Sequence, residues 1–112
     1  MLVVLLVFFS CSRQLSKTEI ILLTKSGKAC DRIKGFLAIS DLRDTSMYPL
    51  FFYDMDDRHI THCKDYFGKT VLWAKIEALR KITKVEPALR YDPENPDKAI
   101  LHQYKVFIMG KE

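Results

Sequence analysis

Ten consecutive residues, Asp54-Met-Asp56-Asp57-Arg-His59-Ile-Thr-His62-Cys63, gather carboxylate, imidazole and thiol side chains in one place. These are the types that bind transition metals through oxygen, nitrogen and sulfur. Asp54, Asp56, His59 and His62 are the candidate ligands. Their spacing does not favour a preformed site. Read as a strand, residues 58–63 send His59 and His62 to opposite faces, because side chains alternate along extended backbone. The Cys/His spacings of structural zinc motifs are absent as well. The plainer reading is an acidic hairpin turn followed by a strand with exposed histidines, and a metal-dependent enzyme is the weakest of the functional expectations.

Other groupings fall short of a site. Gly68-Lys69-Thr70 ends like a phosphate loop, but Cys63 stands where that loop requires glycine, so the backbone amides cannot wrap a phosphate. Tyr48, Phe51, Phe52 and Tyr53 offer rings for base stacking, yet no segment carries the basic-Gly-aromatic signature of an RNA-recognition fold. Core packing with one exposed ring accounts for them, given the apolar area each ring buries. His102 has no Ser or Cys motif beside it that would make it a base. The sequence therefore predicts no catalytic residue, no cofactor and no nucleic-acid partner.

The uncharged apolar run over residues 2–9 ends abruptly at Ser10-Cys11 and is followed by the polar Ser12-Arg13-Gln14. It falls well short of the ~20 helical residues that cross a bilayer. Its proportions are those of a secretory h-region and cleavage zone. Val7-Phe8-Phe9-Ser10-Cys11-Ser12 resembles the lipobox of bacterial lipoproteins, particularly the bulky, serine-containing form common in Bacteroidetes. The resemblance covers about a tenth of the chain, has no Lys or Arg ahead of the run, and carries large side chains at Phe8 and Phe9. It implies that Cys11 is acylated and becomes the first residue of the mature chain, a lipid anchor placing the protein in the membrane on the periplasmic face of the cell envelope. The alternative is that residues 2–9 form a buried strand, since a short apolar run with β-branched and aromatic members looks the same.

The resemblance also bears on the three cysteines, an awkward number for an exported protein. Lipidation of Cys11 leaves Cys30 and Cys63 as a candidate disulfide, with buried free thiols as the alternative. The resulting layout is a signal peptide over residues 1–10, a lipid-attached tether over 11–17 and one domain over 18–112. About 100 residues suffice for one small core. The chain holds 18 Lys and Arg against 14 Asp and Glu, a net charge of +4. The excess is spread along the chain, as on an ordinary solvated surface rather than a nucleic-acid tail or polybasic patch.

Along the domain, residues 18–24 are β-branched and apolar and predict a strand ending at Lys25-Ser26-Gly27. Ala29, Cys30, Ile33, Phe36 and Leu37 share a helical face, with Ser26 as candidate N-cap and Gly35 as the residue that leaves a hairpin strand in competition. Residues 48–53 and 58–63 predict a hairpin, with Pro49 at a strand start. Residues 70–83 predict a helix through Leu72, Trp73, Ile76, Leu79 and Ile82, with Glu77 and Lys81 as an i,i+4 pair. Residues 88–92 and 98–109 predict two strands around a proline-rich loop, and for 98–109 a helix starting after Asn95-Pro96 is the rival.

The order strand, helix, strand, strand, helix, strand, strand predicts an α+β domain: a small mixed or antiparallel sheet with two helices on one face, compatible with a ferredoxin-like split βαβ arrangement. Three functions follow from different classes. The first is an exported, lipid-anchored envelope protein, non-catalytic, that binds a ligand or an envelope protein. The second is a cytoplasmic interaction domain, inhibitor or immunity-like, with residues 2–9 as an integral strand. The third is the metal-dependent enzyme.

Overall fold

A computed structural model describes residues 15–42 and 44–110; residues 1–10, Cys11 and the proposed processing site lie outside them. Among the described residues four α-helices carry the fold: α1 (Lys17–Thr24), α2 (Ala29–Leu42), α3 (Val71–Thr83) and α4 (Lys98–Met109). Two 3-10 helices, Thr45–Phe52 and Lys64–Tyr66, lie between α2 and α3. Among the described residues there is no strand, only an isolated antiparallel bridge between Ile60 and Thr70. The fold is all-α, and this overturns the expected α+β class, its sheet and the split βαβ arrangement.

Local chemistry explains why the strand expectations failed. At α1 a capping box is decisive: Ser16 Oγ accepts from Glu19 N at 3.1 Å, and Glu19 Oε1 accepts from Ser16 N at 2.8 Å. Reciprocal satisfaction of two orphan amides starts a helix despite the β-branched run that follows. Eight residues are too few for an independent helix, and α1 is held by burying Ile20 and Thr24, one turn apart, while Leu22 faces solvent.

Residues 48–53 fall mostly within the 3-10 helix, which begins on Asp44, whose side chain accepts from Ser46 N at 3.0 Å. Pro49 sits inside that helix rather than opening a strand. Residues 88–92 are irregular, and 98–109 take the helical alternative. Asp97 caps α4 through Ala99 N at 2.9 Å, and Gly110 closes it at φ 80°. The alternation of Tyr104, Val106 and Ile108 is incidental. The buried residues are Ile100, Leu101 and Tyr104, which share one helical face.

The helix expected at 70–83 is α3, capped by Thr70, whose hydroxyl accepts from Trp73 N at 3.0 Å. It lies between α2 and α4, and so buries more than one stripe: Val71, Leu72, Ala74, Ile76, Ala78 and Leu79 are all inaccessible, while Trp73 and Ile82 are half-buried. The expected Glu77–Lys81 pair does not form. Lys81 reaches Asp41 of α2 at 2.7 Å, and Glu77 takes Arg80 at 3.2 Å and the Tyr91 hydroxyl at 2.6 Å.

Gly35 of α2 packs against the end of α1 with no room for a side chain. A Cβ built there would lie 2.8 Å from Thr24 N and 2.9 Å from Leu23 Cβ. The backbone on one side cannot retreat as a flexible side chain would. Gly35→Ala should therefore lower stability, because overpacking of about 1–3 kcal/mol outweighs the helix-propensity gain of about 1 kcal/mol. Urea unfolding checks this, and a gain of stability would show that the two helices are free to separate.

Candidate functional site

On an amphipathic helix the positions i, i+3, i+4 and i+7 form the inward stripe. In α3 those positions read Leu72, Lys75, Ile76, Leu79, and in α2 they read Ala29, Arg32, Ile33, Phe36. Each helix thus carries one cation where an apolar residue belongs. That pattern was the sequence signal for this site, masked by the apolar neighbours at Ile33 and Ile76.

Both cations end in the same place. A cleft of about 650 Å³ opens between the α1–α2 turn, the first 3-10 helix, residues 53–59 and α3, and both Arg32 and Lys75 line it. Lys75 is only 1% exposed. Its Nζ donates to the Asp54 carbonyl at 2.5 Å and lies 5.0 Å from the centre of the Phe36 ring. Burial draws the ammonium down to about 8, against the opposing pull of the Asp57 and Asp54 charges.

Asp57 is the buried anion, 5% exposed. Its carboxylate accepts from Arg32 Nε at 2.9 Å, meets His59 Nδ1 at 2.7 Å, and accepts from His59 N at 3.2 Å. Burial pushes the carboxyl up, but the bonds from His59 and Arg32 and the Arg32 charge outweigh it and hold the group below the usual carboxylate range. Arg32 is itself oriented by a bond from Nη1 to the Ser26 carbonyl at 2.7 Å. A buried charge without such partners would be strongly destabilising.

Backbone bonds place Asp57 there. The carbonyls of Asp57 and His59 accept from Leu72 N at 2.8 Å and Val71 N at 3.1 Å, so two first-turn amides of α3 are satisfied by the loop rather than by water. The loop is also tied to α2 covalently. Cys30, in the first turn of α2, and Cys63 form a disulfide with Cα atoms 5.9 Å apart. No protein-family model, curated protein or solved structure matches this chain. What the cleft does must be read from its own chemistry.

The structure brings only part of the metal-type cluster together. Asp57 and His59 meet, but Asp56 is taken by Arg58 Nε at 2.6 Å, and His62 packs against the exposed Phe67 ring with centroids 5.8 Å apart. Asp54 contributes its carbonyl to Lys75. Among the described residues no group of three or more His, Cys, Asp or Glu side chains is placed to hold a metal ion. Thr70 and Lys69 are likewise committed elsewhere, Thr70 as the α3 cap and Lys69 in a pair with Glu94 at 2.5 Å. Ser26 does not cap α2 as a first residue; it accepts from Lys28 N at 3.1 Å and donates to Asp31 at 2.8 Å. Of the four ring residues, Phe51 is core against Phe36, Tyr48 and Phe52 are half-buried, and Tyr53 is 90% exposed beside the cleft. His102 lies exposed on α4.

The arrangement offers a buried amine, a fixed guanidinium, a carboxylate–imidazole pair and an apolar wall. It suits a small polar ligand with a short body, since pockets for small molecules combine apolar lining with a few placed polar groups.

Proposed function

We propose that the chain is a lipid-anchored protein of the bacterial cell envelope, exposed to the periplasm, whose helical domain holds a small ligand in the cleft beside Lys75. One observation carries the location. The Cys30–Cys63 disulfide uses two of the three cysteines and leaves Cys11, directly after Ser10, as the remaining one. Disulfides persist in oxidising compartments and are rare in the cytosol. A lipid on Cys11 accounts for the third thiol, and two or more acyl chains hold a protein stably at a membrane where one is marginal. Among the described residues no helix is long and apolar enough to span a bilayer, so an anchor on Cys11 would supply the attachment.

Expression of the full gene in a Gram-negative host tests the reading. The expected product fractionates with membranes, begins at an acylated Cys11 by mass, and becomes unprocessed when Cys11→Ala is introduced. A soluble product that retains residues 1–10 overturns it.

A further inference from the structure

We propose that Lys75 is a covalent capture site: its amine forms a reversible imine with small oxo acids, carbonyl compounds carrying a carboxylate, that enter the cleft. The proposal rests on the reading that the cleft binds a ligand. Lys75 projects from the inward stripe of α3, is withheld from bulk water, and is one of the residues lining a cleft that a small molecule can occupy. The bond to the Asp54 carbonyl and the Phe36 ring fix its position. A lysine held this way keeps a larger neutral fraction near neutrality than a solvated one, which is how amine nucleophiles are activated.

The surroundings also suit the product. The lone pair of Nζ adds to the carbonyl carbon while the carbonyl oxygen takes a proton from the nitrogen, giving a carbinolamine. Its hydroxyl then leaves as water with one further proton as the C=N bond forms. The net reaction is ammonium plus carbonyl going to protonated imine plus water, without oxidant or reductant. The imine keeps the single positive charge that Lys75 carried, and Asp57 and Asp54 act on that position already. The further proton comes from solvent; His59, exposed and held through Nδ1 by Asp57, lines the same cleft. The cleft's cations Lys25, Arg32 and Lys75 exceed its carboxylates Asp54 and Asp57, which favours a carbonyl compound that is itself an anion.

Glyoxylate is the probe. Incubate the full chain, in detergent, with glyoxylate and cyanoborohydride at pH 7, and map carboxymethylated lysines by peptide mass spectrometry. An amine near 8 has a neutral fraction on the order of a hundredfold above that of an exposed lysine, so Lys75 should be labelled at least about tenfold faster than any surface lysine. Labelling in urea should lose that preference, and Lys75→Met should abolish it. Equal labelling of Lys75 and surface lysines in the native protein overturns the proposal without recourse to any variant. Glycolate, of the same charge but unable to form an imine, separates the two readings. If glycolate and glyoxylate raise the melting temperature equally and Lys75 is not labelled, the cleft binds anions and the imine is wrong; if neither ligand shifts melting and Lys75 is not labelled, ligand binding in the cleft falls with it.

Discussion

Ile76→Ala should cost the fold about 2–5 kcal/mol in urea unfolding. Ile76 is fully inaccessible on α3, the helix flanked by both α2 and α4. Removing three carbons there forfeits their transfer from water and leaves a cavity that two packed helices cannot readily close. Against a typical domain stability of about 5–15 kcal/mol, that loss is a large fraction of the whole. The same truncation at Leu22, exposed on α1, should stay within about 0.5 kcal/mol. The pair of measurements distinguishes burial from helix propensity, because both changes install the same good helix former. A loss near zero at Ile76 would mean that α3 is not the centre of the core.

Reduction of the disulfide, or its replacement by alanine at both Cys30 and Cys63, should lower stability by about 3–4 kcal/mol. The bridge closes a loop over a sequence separation of 33, and restricting the unfolded chain over that length is worth about this much. The consequence extends to the cleft. Cys63 lies a few residues beyond Asp57 and His59, on the loop that also meets α2 through Arg32, which pairs with Asp57 at 2.9 Å and reaches His59 Nδ1 at 3.1 Å. Loosening the loop should also weaken any ligand held in the cleft. Urea unfolding with and without a phosphine reductant measures the first effect, and the double-alanine variant should be indifferent to the reductant. Two free thiols on non-reducing alkylation of the exported protein would contradict the bridge and remove the support it lends to an envelope location.

Helix α3 was legible because its apolar spacing runs without interruption and needs no neighbour to be recognised. The start of α2 was legible for the same reason, while Gly35, which reads only as a weakness in that helix, takes its meaning from α1 packed against it. Two further signals were present but local. Ser16-Lys-Thr-Glu19 is a capping box, and Pro96-Asp97 is a helix entry. β-branched residues downstream mask the first, and the alternation of Tyr104, Val106 and Ile108 masks the second.

The sequence by itself determined where apolar surface lies and which cysteines are available. Tertiary structure decided which way the short apolar runs fold, because eight or so apolar residues have no preferred side until another element covers one. It also decided the site. A lysine or arginine on an inward stripe is only a flaw in a pattern until a carboxylate from a distant loop reaches it. Asp57 does so for Arg32 because its loop is held by α3 amides on one side and by Cys63 on the other. Such long-range pairing leaves no period in the sequence from which it can be read.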